Sequence, residues 1–236
     1  MVPLLFSCEN ATCAIPEAWR DLFRGSEEIV ASTEGWEPGA LNLAQGFAMK
    51  FRTPLVYGDV TRLLIDLDAA GDARWSRFSS QLTDAQHTKL VERHETKHHD
   101  MLVAQITEAI RRDPQVVHVM IHTTPDEDAV VALEAHEDDA SGTAWATAWS
   151  SAIRKADEPL RVETRSVPVM PAGAASLRLF FGSAAYAAIV LRVSQSFFLE
   201  NRPWRWEKLK KHLIDTLVAT ARELTVSQES PSSPGC

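Results

Sequence analysis

The chain has 236 residues, 45% of them hydrophobic and 24% charged, with a formal net charge of −8. That length suits one large α/β domain or two small ones, and the acidic balance argues against a nucleic-acid partner, which would want a basic footprint. Three cysteines (Cys8, Cys13 and Cys236) without paired spacing point to reduced thiols in a cytoplasmic protein rather than a disulfide framework.

The first residues lack a basic segment, and their apolar run is too short for a signal peptide or a membrane span. No membrane is therefore expected as a partner. That run, Val2-Pro3-Leu4-Leu5-Phe6, ends in Ser7-Cys8-Glu9-Asn10. It reads as a buried strand that delivers polar side chains to its carboxyl end, where open α/β sheets bind their ligands. Pro16 suits the first turn of a helix, where its missing N–H costs nothing, and 15–23 reads as that helix. Glu37-Pro38-Gly39-Ala40 opens a second, 40–51, with Leu41, Ala44, Ala48 and Phe51 on one face. Residues 55–57 and 63–67 read as strands. Asp66 is an acid within the second apolar run, so it needs a partner or a function there.

Thr83-Asp84 caps a long helix that ends near Asp113-Pro114. A mostly apolar strand, 116–122, ends on His122. An acid-rich stretch covers 126–139, with a strand over 129–133. Helical spacing returns over 143–153, and strands are expected at 160–164, 177–181 and 187–193. A last helix over 203–224 carries the stripe Leu209, Leu213, Leu217 and Ala221. The Ser/Pro-rich tail, 227–236, is expected to be disordered. Strands and helices alternate without a linker-like break. This predicts an α/β fold: a single three-layer αβα domain over 1–226, built on a mixed, mostly parallel sheet.

His94-Glu95-Thr96-Lys97-His98 spells H-E-x-x-H. On a helix, two such histidines share a face and can bind zinc while the glutamate acts as general base. A third ligand and a cleft are not marked nearby, and a helix burying or half-burying two neutral imidazoles is the favoured reading of the string. His122 stands at the carboxyl end of a buried strand, as Glu9 does at another. Converging, they would supply two of the three ligands that a catalytic zinc requires. Arg62 and Asp66 would share one side of a strand, either pairing with each other or facing a substrate. Trp204 and Trp206 read as packing and surface anchors. The acids over 134–139 lack calcium-loop spacing and read as a solvated loop.

Ser7-Cys8-Glu9-Asn10 followed by Ala14-Ile15-Pro16 resembles the signature of the N-formylglutamate amidohydrolase family, roughly Ser-Cys-Glu-His-Gly-Gly-Asn-x-Val-Pro. Four later segments follow in the family's order. Gly35-Trp36-Glu37-Pro38-Gly39-Ala40-Leu41 resembles Gly-x-Asp-Pro-Gly-Ala-Leu. Thr61-Arg62-Leu63-Leu64-Ile65-Asp66-Leu67-Asp68 resembles Ser-Arg-Leu-Leu-Val-Asp-Leu-Asn. His118 to Pro125 resembles His-Leu-Ser-Val-His-Ser-Phe-Thr-Pro with one residue lost. Ala188 to Gln195 resembles Gly-Ile-Glu-Leu-Glu-Val-Asn-Gln.

The resemblance implies a fold like that of the zinc carboxypeptidases. It also implies zinc-assisted hydrolysis of a formamide or another C–N amide bond in a small N-acyl amino acid. On that reading Glu9 and His122 are catalytic and metal-side residues, and Asn10, Arg62 and Asp66 line the substrate. The family's histidine, a metal ligand, is Asn10 here, so His98 or His99 would have to take its place among the ligands. Val190 and Arg192 stand where the family has glutamates, and Ala69 replaces an arginine. Three readings follow: a metal-dependent amidohydrolase with an altered ligand set, a catalytically inactive relative that binds a small molecule or a protein, and an H-E-x-x-H zinc peptidase, ranked last.

Overall fold

The structure is a computed structural model that describes residues 2–125 and 130–229. Its strands are β1 (Leu4–Cys8), β2 (Leu55–Tyr57), β3 (Val116–Thr124), β4 (Val130–His136), β5 (Arg161–Val167) and β6 (Tyr186–Ser194). They form one sheet in the order β2-β1-β3-β6-β4-β5. β1 pairs in parallel with β2 and β3, and β3 with β6, whereas β4 runs antiparallel to β6 and carries β5 parallel to itself. The central strands are buried on both faces, as their unbroken apolar runs require. Helices cover both faces, which makes the three-layer αβα architecture expected of the sequence.

The helices are α1 (Glu27–Ala31), α2 (Ala40–Phe51), α3 (Asp84–Leu90), α4 (Lys97–Ile110), α5 (Ala140–Ala156), α6 (Ala172–Phe181), α7 (Ser196–Leu199) and α8 (Pro203–Glu229). Side chains alternate across each strand and so divide the core. Leu4, Phe6, Cys8, Val119, Ile121, Ile189 and Leu191 pack on α2, α5 and α8. Phe6 stacks on Phe47 with ring centroids 5.4 Å apart, and Trp149 meets Phe47 edge-on at 5.8 Å. Leu5, Met120, Ala188 and Val190 face the other way, onto Leu102 and Ile106 of α4 and Ala174 and Leu177 of α6. Glu9, His122 and Arg192 follow this second alternation, so the polar ends of three neighbouring strands emerge on one side. His122 and Arg192 are register partners on adjacent strands.

Two expected strands are not strands. The segment 63–67 is a chain of turns: Leu63 N donates to Thr61 Oγ1 at 3.3 Å, and Leu64 N donates to Thr61 O at 2.9 Å. Its apolar residues Leu64 and Ile65 are buried instead in a third cluster with Phe23, Val30 and Leu90. The segment 177–181 belongs to helix α6, which follows Pro171 and starts with Ala-Gly-Ala-Ala. Residues 17–23 wind as a 3-10 helix rather than an α-helix.

The long helix expected after Thr83 forms with one irregularity. Residues 91–96 make a π-helical segment between α3 and α4, a feature found frequently at functional sites. α8 continues to Glu229, into the stretch expected to be a tail. The rest of that tail with Cys236, and Asp126 to Ala129 of the acid-rich stretch, lie outside the described residues. Among the described residues, no helix is long and apolar enough to cross a membrane.

Candidate functional site

Backbone hydrogen bonds fix the segments that supply the site. Gly58 N donates to Cys8 O at 3.0 Å, which extends β2 alongside the end of β1, and Glu37 N donates to Asn10 O at 3.0 Å. Gly39, with φ of 92°, then turns the chain into α2, a conformation a side chain would strain. Asp68 N donates to Asp66 Oδ1 at 3.0 Å, so Asp66 shapes the turn that presents Asp68.

The side chains converge at the carboxyl ends of β1 and β3. His122 Nδ1 donates to Glu37 Oε2 at 3.0 Å and lies 3.6 Å from Asp68 Oδ2. Its Nε2 is 3.6 Å from Glu9 Oε2, and His98 Nε2 is 3.8 Å from Glu9 Oε1. Asn10 Nδ2 donates to Asp68 Oδ2 at 2.8 Å and to Glu37 Oε1 at 3.4 Å. Thr123 N donates to Glu37 Oε2 at 3.1 Å, and Arg62 Nη1 stands 3.5 Å from Glu37 Oε1. Glu9, Asn10, Glu37, His98 and His122 are all buried.

This crowd of carboxylates sets the protonation of the site. Burial opposes a charge on His122, but Asp68, Glu37 and Glu9 outweigh it and raise the imidazole to about 10. Burial would also raise Glu37, yet His122, Thr123 N–H and Arg62 hold it below the usual carboxylate range. Asp68 is pushed well above that range by burial and by Glu9, Glu37 and Asp66, against the pull of His122. His98 is lowered by burial, which Glu9 only partly opposes.

No protein-family profile and no curated protein matches the chain. Among solved structures, a gene product of Agrobacterium tumefaciens aligns with a TM-score of 0.74 at 19% identity, over 94% of this chain and 90% of that one. N-formylglutamate amidohydrolase from Ralstonia eutropha JMP134 aligns with a TM-score of 0.64 at 12% identity, over 95% of both. The fold is that of an N-formylglutamate amidohydrolase.

Within this amidohydrolase-like fold, Glu9, Asp68 and His122 can each offer one donor atom, and the three atoms lie within 4.8 Å of one another. Glu9 Oε2, Asp68 Oδ1, His122 Nε2 and His98 Nε2 are buried with no hydrogen-bond partner. Buried polar atoms left unpaired are costly. Oxygen and imidazole donors converging in this way are the donor set that a divalent cation such as zinc takes, so these residues fit a metal.

The residues anticipated from sequence divide accordingly. Glu9, His122 and Asn10 meet in the cluster, Arg62 reaches it through Glu37, and His98 borders Glu9. Asp66 touches it only through Asp68. His99 turns away and contacts Ser176 Oγ at 3.2 Å. In the H-E-x-x-H string, Glu95 pairs with Arg74, and His94 Nδ1 bonds Asp59 Oδ1 at 2.6 Å, so Glu95 is not poised beside the two imidazoles as a base. Arg62 and Asp66 do not pair directly among the contacts described. Glu37 and Asp68 join the cluster without having been marked by the sequence pattern. Each lies within a quoted segment, but a turn rather than a strand end presents it. Of the two departures on β6, Val190 is core, while Arg192 Nε donates to Glu134 Oε2 at 2.8 Å.

Proposed function

We propose that the protein is a divergent member of the N-formylglutamate amidohydrolase family, a zinc-dependent hydrolase of the C–N bond of a small N-acyl amino acid. The observation that carries this reading is the set of unpaired, buried donor atoms on Glu9, Asp68 and His122, in a fold shared with an amidohydrolase. These three side chains would hold the metal. Glu37 fixes His122 through its Nδ1–H and so presents Nε2, as carboxylates behind metal-bound histidines do.

Zinc held there would polarise an amide carbonyl and lower the pKa of a water. His98, kept neutral by burial, offers its unpaired Nε2 as acceptor for the water proton and returns it to the departing amine. Arg62, whose side chain is 35% exposed, faces the substrate's α-carboxylate. Asn10 links Glu37 and Asp68 by donating to both, and so helps to position the ligand Asp68 and the His122 partner Glu37.

Zinc titration by calorimetry, with elemental analysis, tests the reading. One zinc per chain is expected, and His122→Ala and Glu9→Gln should each weaken binding by a factor of about 100. Hydrolysis of N-formyl amino acids should disappear in the same variants. Wild-type protein that takes up no stoichiometric zinc overturns it. The loss of the family glutamates at Val190 and Arg192, the latter tied to Glu134, favours a second reading, an inactive relative that binds the same amides. Ligand binding without turnover by zinc-loaded protein would select it.

A further inference from the structure

A cavity of about 230 Å³ adjoins the cluster, between Leu67, the end of the π-helical segment with the start of α4, and the start of α6. Two links join it to the site. His98 forms its wall and reaches Glu9, and Asp68 O accepts a hydrogen bond from Ala172 N at 2.9 Å, so the residues flanking Asp68 and opening α6 make its edge. The volume is below the range of about 300–1,000 Å³ typical of whole drug-sized ligands. It suits a single side chain.

The chemistry of the walls is selective. Leu67, Leu102, Ala172 and Gly173 make them apolar, and the polar contributions are the Thr96 and Ser176 hydroxyls, the His98 and His99 imidazoles and the Glu95 carboxylate. Among the described residues, no lysine or arginine lines the cavity. The carboxylate that lines it among the described residues, Glu95, is already paired with Arg74. A second substrate carboxylate entering here would lose its hydration without gaining a cation, which is strongly unfavourable. A neutral side chain would bury apolar surface, and an amide or hydroxyl at its tip could bond His99 or Ser176.

We infer that this cavity is the side-chain pocket of the substrate, and that it selects N-acyl amino acids with short neutral side chains over acidic ones. The inference rests on the hydrolase reading for the placement of the acyl group, but the pocket has its own test. Gly173 offers a clean probe, because a Cβ built there meets nothing within 4 Å. Gly173→Leu should therefore fold and narrow the cavity.

The experiment compares N-formylglutamine, N-formylmethionine, N-formylglutamate and N-formylglycine on zinc-loaded protein, by turnover and by calorimetric binding. N-formylglutamine should exceed N-formylglutamate by about tenfold or more in kcat/KM or affinity. Gly173→Leu should lower the value for N-formylglutamine about tenfold more than that for N-formylglycine, with zinc content and circular dichroism retained. Equal or reversed preference for N-formylglutamate, an equal effect of Gly173→Leu on all ligands, or no binding by any of them overturns the pocket. Ranked binding without turnover keeps the pocket and rejects the hydrolase reading.

Discussion

Asn10 joins two carboxylates that would otherwise repel each other. Its Nδ2 donates to Asp68 and, at longer range, to Glu37, and the residue is buried. Replacing it by leucine keeps the volume but removes the donor. Asn10→Leu should destabilise the metal-free protein by about 1–3 kcal/mol, the cost of leaving a buried polar group unsatisfied. Urea denaturation with chelator present measures this, and an unchanged midpoint would show that water or rearrangement satisfies Asp68. At this scale the sequence was partly readable. Glu9 and His122 were visible because a polar residue closing an apolar run stands at a sheet edge. Glu37 and Asp68 carried no such periodic signal, since turns position them. The spacing of His94 and His98 is real, yet Arg74 occupies the Glu95 carboxylate that a peptidase would need as its base.

The elements that aim the site are held by close backbone contact as much as by side chains. Gly58 lies beside the end of β1, and a Cβ there would stand 1.9 Å from Glu9 O. Gly58→Ala must push the end of β1 away from β2 and carry Glu9 with it. If Glu9 is a zinc ligand as proposed, Gly58→Ala should weaken zinc binding by about tenfold or more, although it touches no ligand, since small misplacements at such centres are expensive. Calorimetric titration beside a thermal melt checks this, and unchanged affinity in a folded variant would mean that β1 absorbs the shift. Element identity followed periodicity where packing was simple, as for α2, β2 and β3. It fails at 177–181, where Leu-Arg-Leu-Phe-Phe reads as a strand, because Pro171 and the alanines Ala172, Ala174 and Ala175 just upstream supply the first turn of a helix. It failed at 63–67 because a loop with its own small core buries as many apolar residues as a strand.

Across the whole molecule, the three central strands are tied by a buried polar chain. His118 on β3 bonds Tyr186 Oη on β6 through Nδ1 at 2.7 Å and Ser7 Oγ on β1 through Nε2 at 2.8 Å. A neutral imidazole has one donor and one acceptor to give these two hydroxyls. Burial, reinforced by His98 and His122 and opposed by Glu9, lowers His118 to about 4, against about 6.5 for an unfolded histidine. The unfolded chain therefore binds the proton more readily between these values, so stability rises with pH across the window. The contribution is fully present above pH of about 6.5 and is lost as pH falls towards 4, amounting to about 3 kcal/mol for this single group. The carboxylates also titrate in acid, so the comparison must be with a variant lacking only this ionisation. His118→Gln keeps a donor and an acceptor but cannot be protonated. Denaturant unfolding of both proteins from pH 7 to pH 4 should show a steeper loss for the histidine form, with the two curves separating mainly between pH 6.5 and 4. Parallel curves would mean that water reaches the chain and that the imidazole titrates near its free value. The layer that carries Glu9 and His122 to the sheet edge would then be less tightly closed than its apolar packing implies.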